Sequence, residues 1–186
     1  MPLLSIAMCV IIACELWGLT EFGFRGVRRT LIFYTQLSNV TALGSAVLLL
    51  VTGGGWFVTG LRYLAVCMLI MTFLVTVCVL VPAVKDVHML LLSRTGFFLH
   101  VVCPLLNTVS YILLENHVSA AWIGVPPLLT LTYGLIMIWL NIKKVVVGPY
   151  PFFMVYRQTK TATVLWVIVL FAVIAGISAG VYTFAR

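Results

Sequence analysis

The chain has 186 residues, of which 63% are apolar and only 8% charged, and it carries a net charge of +7. A soluble domain carries about 25% charged residues and has no core able to hide this much apolar surface, so lipid is the solvent the composition demands. The basic excess falls in short loops between apolar runs, the pattern of a membrane topology signal rather than of a phosphate-tracking groove, and nucleic acid is not an expected partner.

A transmembrane helix needs about 20 apolar residues, so the whole chain is consumed by an all-α bundle of six transmembrane helices forming one domain over 1–186. In chain order the helices are predicted at 2–20, 30–52, 61–83, 96–115, 120–142 and 161–184. The first resembles a signal peptide in length, but it lacks a basic leading segment and carries Glu15, so it reads as a membrane helix. The triplet Gly53-Gly54-Gly55 ends the second helix, Pro82 the third, and Glu115-Asn116-His117 the fourth. Pro126-Pro127 is expected to distort the fifth. The aromatic stretch from Gly148 through Phe153 cannot be regular helix and is expected at the membrane interface. In the sixth, Gly176 and Gly180 fit close helix packing, inside the bundle or between copies in a homo-oligomer.

Arg25, Arg28, Arg29, Lys85, Arg94, Lys143, Lys144, Arg157 and Lys160 occupy the odd-numbered loops, against Arg62 and Arg186 on the other side. Positive charge stays cytoplasmic, which places both termini outside. Cys9, Cys14, Cys67, Cys78 and Cys103 all lie in apolar segments without metal spacing, so they are read as packing residues, with no disulfide, metal or cofactor expected. His88 and His117 fall in loops and read as solvated.

Polar groups inside lipid are costly and often mark a site. Thr35, Ser38, Asn39 and Ala42 share one face of the second helix, and His100, Cys103, Pro104, Asn107 and Tyr111 share one face of the fourth. The segments beginning at Arg29-Thr30 and Arg94-Thr95 match at an offset of 65, and Thr35 and His100 each lie six residues past their arginine. At a rise of 1.5 Å per residue both sit about 9 Å beyond it, at one depth. Glu15 and Tyr133 come to a similar depth, and Pro104 frees the carbonyl of His100 and kinks the fourth helix. One reading is a polar pocket in which His100 is a general base, Thr35 a nucleophile, and Ser38 or Asn39 an oxyanion donor. The other is interhelical glue, the ordinary use of Ser, Thr, Asn and His in membranes.

The blocks Phe33-Tyr34-Thr35-Gln36-Leu37-Ser38-Asn39, Leu99-His100-Val101-Val102-Cys103-Pro104-Leu105-Leu106 and Gly148-Pro149-Tyr150-Pro151-Phe152 resemble, in order and placement, those of the androgen-induced-protein superfamily, which includes many bacterial six-helix membrane proteins. The resemblance implies a multi-pass protein of the bacterial inner membrane. Animal members hydrolyse fatty acid esters of hydroxy fatty acids with a threonine nucleophile and a histidine, roles that fall here on Thr35 and His100. Bacterial relatives often carry an acid where this chain has Phe153-Met154, and an aspartate near Asn107. If either acid orients the histidine in those relatives, Glu15 is the residue left here to supply that carboxylate. The expected function is therefore intramembrane lipid ester hydrolysis, with Ser38, Asn39, Asn107, Tyr133, Glu15 and Tyr150 as substrate-binding residues and membrane lipid as both solvent and substrate. The alternative is a small transporter or lipid-binding protein using the same pocket without catalysis, with Glu15 holding a proton or cation.

Overall fold

The computed structural model describes residues 2–23 and 32–184. Six of its helices are long and apolar enough to cross a membrane, and no strand occurs among the described residues. The chain folds as a multi-pass, all-α membrane bundle. The spans are α1 (Pro2–Gly23), α2 (Tyr34–Thr52), α3 (Trp56–Val84), α4 (Arg94–Leu114), α5 (Ala120–Ile142) and α6 (Lys160–Phe184). Arg25, Arg28, Arg29, Thr30 and Arg186 lie outside the described residues.

The glycine triplet closes α2 as expected. Gly53 adopts the left-handed conformation at φ 73°, its N–H bonding to the carbonyl of Leu49, and Gly54 and Gly55 follow at φ 117° and 125°. Only glycine takes such angles without strain. Because the turn ends at Gly55, α3 begins at Trp56, five residues before the expected Leu61.

Proline does not end α3. The helix runs through Pro82 to Val84 by opening into a π turn over Thr76–Leu80, where the Val81 N–H bonds to the Thr76 carbonyl. The same device recurs in α4: a π turn over Phe98–Val102, with the Cys103 N–H on the Phe98 carbonyl, stands immediately before Pro104. In both helices the wider turn stands just before the proline, whose ring would crowd the carbonyl four residues back in a regular α-helix. Pro126 and Pro127 stand where α5 changes form: a 3₁₀ turn over Ala120–Trp122 precedes them, and they occupy the first turn of the regular α-helix Val125–Ile142, whose leading N–H groups have no intrahelical partner to lose.

The segment after α5 folds inward: Tyr150, Phe152 and Phe153 are 6%, 4% and 5% exposed and join the main core with Tyr34, Met137 and Ile174. Its rings pack on one another, Tyr150 stacking on Phe152 and meeting Phe33 and Phe153 edge-on. Two further expectations are corrected. On α6 the buried residues are Ile174, Ser178 and Val181, whereas a Cβ at Gly176 or Gly180 would meet no atom within 4 Å, so the glycines do not serve packing within the bundle. Of the five cysteines, all free, Cys9 and Cys78 are exposed on the outer surface and only Cys67 and Cys103 are fully buried.

Candidate functional site

The site forms where the first turn of α2 meets the π turn of α4. Phe33 precedes α2 in extended conformation and offers no side-chain cap, so the leading N–H groups of the helix look for partners elsewhere. Tyr150 supplies one: its phenol oxygen accepts from the Thr35 N–H at 3.4 Å. The Thr35 hydroxyl lies 3.4 Å from Nε2 of His100, at the long end of hydrogen-bond range. On the other side of the ring, Nδ1 stands 2.9 Å from the Leu90 carbonyl. A carbonyl only accepts, so Nδ1 holds the ring proton and Nε2 presents a lone pair to the threonine.

The group that orients His100 is therefore the Leu90 backbone, and Glu15 is not its partner. Leu90 belongs to the π turn His88–Leu92, held between Asp86, whose carboxylate accepts from the Met89 N–H at 2.8 Å, and Ser93, which donates to the Met89 carbonyl at 2.7 Å. Gly96 makes room for this arrangement. A Cβ there would lie 2.5 Å from the Leu90 oxygen itself and 2.8 Å from the Ser93 hydroxyl. Gly96→Ala is accordingly expected to push the carbonyl away from His100 and lower any Thr35-dependent reaction by about 10-fold or more, as losing the partner that orients a reactive imidazole does. Equal rates for this variant and wild type would show that the carbonyl does not set the ring.

Ser38 and Asn39 are buried beside Thr35 but have no donor to spare. Asn39 gives its amide hydrogens to the carbonyls of Thr35 at 2.6 Å and Leu99 at 3.3 Å. The Leu99 carbonyl is accessible because the π turn sends the Cys103 N–H to Phe98 instead. Ser38 donates to the Thr35 carbonyl at 2.9 Å and pairs with the Thr72 hydroxyl at 3.0 Å. Both residues fasten α2 to its neighbours, which removes them as oxyanion donors.

Tyr133 donates to the Ile32 carbonyl at 2.6 Å and packs its ring 5.2 Å from that of Tyr34, whose hydroxyl pairs with Thr130 at 2.7 Å. These tyrosines, together with Thr35 and Tyr150, line a narrow apolar cavity of about 60 Å³, open at the mouth. Its walls include Met71, Val75, Leu80, Ile138, Trp166 and Leu170. Leu135 and Phe171, 52% and 42% exposed, lie on its rim, so it opens sideways to the acyl-chain region. His100 is not among the lining residues. Burial pushes the Tyr150 phenol above its ordinary range, outweighing the opposing effect of hydrogen bonds with Thr35 and Tyr34, and the hydroxyl keeps its proton at neutral pH.

Glu15 and Asn107 belong to a second polar cluster that does not include His100. Arg62, counted from sequence as one of the few charges on the outer side, is fully buried inside α3 and makes a forked ion pair with Glu115, the shortest N–O separation being 2.8 Å. The same guanidinium donates to Asn107 Oδ1 at 2.7 Å, and Asn107 Nδ2 donates in turn to Glu15 Oε1 at 3.1 Å. The cluster ties α1, α3 and the end of α4 together. Arginine was legible only as charge, because nothing in the local sequence announced a carboxylate 53 residues away.

Searches against protein-family models, curated proteins and solved structures find no match to this chain. What fold and site define is a class: a six-span membrane protein with a hydroxyl–imidazole pair whose threonine lines a lipid-facing apolar cavity.

Proposed function

We propose that this protein is an intramembrane hydrolase of long-chain fatty acyl esters, with Thr35 as nucleophile and His100 as general base. The observation that carries the reading is the line Leu90 C=O, His100, Thr35, in which the only unprotonated ring nitrogen faces the hydroxyl. A carbonyl in place of the usual carboxylate is enough to fix the tautomer, which is the orienting task a third group performs in such arrangements. Support also comes from the apolar cavity ending at Thr35, which suits an acyl chain, and from the likeness of three sequence blocks to the androgen-induced-protein superfamily.

In the proposed reaction the ester enters from the bilayer and lays its carbonyl beside Thr35. The Thr35 proton passes to His100 Nε2 as Oγ1 bonds to the carbonyl carbon, and the carbonyl π pair moves onto oxygen. Collapse breaks the bond to the alcohol oxygen, which takes the proton from Nε2 and departs. Water then attacks the acyl-threonine and gives its proton to Nε2. The second collapse releases the acid and returns the proton to Thr35 Oγ1. Lys85, Lys143, Lys144 and Arg157 lie in the loops, and Arg94 and Lys160 at the starts of α4 and α6, which by the positive-inside rule supports the cytoplasmic leaflet as the place of this chemistry.

The test is covalent labelling by a fluorophosphonate in detergent. Wild type is expected to label and Thr35→Ala to lose labelling completely. Equal labelling of the two, or none in either, overturns the hydrolase reading and leaves a lipid-binding cavity without covalent chemistry.

A further inference from the structure

An oxyanion forms when Thr35 attacks, and the side chains that sequence suggests for stabilising it, Ser38 and Asn39, are committed elsewhere. One hydroxyl remains at the right place. Tyr150 touches the Thr35 N–H with its oxygen, lines the cavity where the ester would lie, and has its own proton to give, since its contact with Thr35 uses the oxygen as acceptor. Its position is unusual for a loop residue, being 6% exposed, and a second residue explains it. Asn141, at the end of α5, grips Gly148 on both sides: Nδ2 donates to the Gly148 carbonyl at 2.6 Å, and Oδ1 accepts from the Gly148 N–H at 3.0 Å. This two-bond clamp satisfies both backbone groups of a glycine at φ 98°, a conformation other residues avoid, and directs the next residues back into the core. Asn141 is itself 1% exposed, so it is held as firmly as the loop it holds.

We propose that Tyr150 is the oxyanion donor of this site and that Asn141 is the positioning residue that aims it. The inference rests on the hydrolase reading and adds two residues to it. During attack the Tyr150 O–H donates to the developing oxyanion, and the Thr35 N–H, released from the phenol oxygen or shared with it, lies on the same side. Both sit at the positive end of α2, where negative charge is favoured. Tyr150→Phe removes this donor while retaining the ring that stacks on Phe152 at 5.2 Å.

The experiment is a double-mutant cycle on the second-order rate of fluorophosphonate labelling, with Thr35→Ala as the blank and thermal unfolding in detergent as the control for folding. Tyr150→Phe is expected to slow labelling by about 10²-fold, the effect of removing one oxyanion-hole donor. Asn141→Ala is expected to slow it comparably in the wild-type background and to have no further effect in the Tyr150→Phe background, because a residue that acts through another shows no effect once that other is gone. Wild-type labelling rates in Tyr150→Phe, with Thr35→Ala still inert, overturn this inference alone. Equal slowing by Asn141→Ala in both backgrounds reduces Asn141 to a structural clamp and removes its assigned role. Failure of wild type itself to label defeats the hydrolase reading first. Should Asn141→Ala fail to fold, Asn141→Asp retains the acceptor for the Gly148 N–H while losing the donor, and the same cycle applies to it.

Discussion

His100→Gln is expected to lower ester cleavage and fluorophosphonate labelling by about 10³-fold, within the span usual for a general base. The variant keeps a polar side chain of similar reach but has no nitrogen able to take the Thr35 proton. Because the base must be unprotonated, the wild-type rate is expected to fall as pH falls through the range where imidazole gains its second proton, and to stay high above it. In His100→Gln that acidic limb should vanish from what rate remains. The pH–rate profile separates this role from a structural one. A histidine that merely packs between α2 and α4 would, on replacement, lower the amount of folded protein and leave the shape of the curve unchanged. An unchanged acidic limb in His100→Gln ends the assignment.

The largest effect on stability is expected at the buried ion pair. Arg62 and Glu115 are 0% and 3% exposed in their side chains, and their attraction is completed by Asn107. Removing the carboxylate in Glu115→Ala leaves a guanidinium in the bundle interior with its forked partner gone. Breaking a buried pair in this way costs about 3–5 kcal/mol. The midpoint of thermal unfolding in detergent should drop accordingly. The double replacement Arg62→Met with Glu115→Leu should recover most of the loss, because it removes both charges together. The folded fraction of each variant should still label at Thr35, since the cluster shares no residue with the Thr35–His100 pair. An unfolding midpoint unmoved by Glu115→Ala would show that the pair contributes nothing net.

The depth argument that joined Thr35 to His100 reached a contact that exists by a route that does not. It assumed six residues of α-helix after each arginine, whereas α2 starts only at Tyr34 and the path from Arg94 to His100 enters a π turn. Thr35 is at the very start of its helix, and the two side chains meet because α2 and α4 are packed there, fastened by Asn39 to the Leu99 carbonyl. The third partner was out of reach from sequence. A backbone carbonyl has no residue type, so Glu15 was the one carboxylate the chain left open for orienting the imidazole, and the fold spends it on Asn107. Gly96 carried a trace of the answer, since glycine in the first turn of a helix marks close approach of another group, but only coordinates identify that group as Leu90.

Sequence by itself determined the bundle. Apolar runs of spanning length have one stable form in lipid, a helix that satisfies its own backbone, and their number and order follow directly. Tertiary structure alone decided where the breaks fall and which polar groups meet. Proline at 82 and 104 was absorbed by π turns, the Tyr150 loop turned into the core, and Arg62 found Glu115. Each outcome depends on partners supplied by other helices, and hydrophobic periodicity along one helix carries no information about what its neighbours offer.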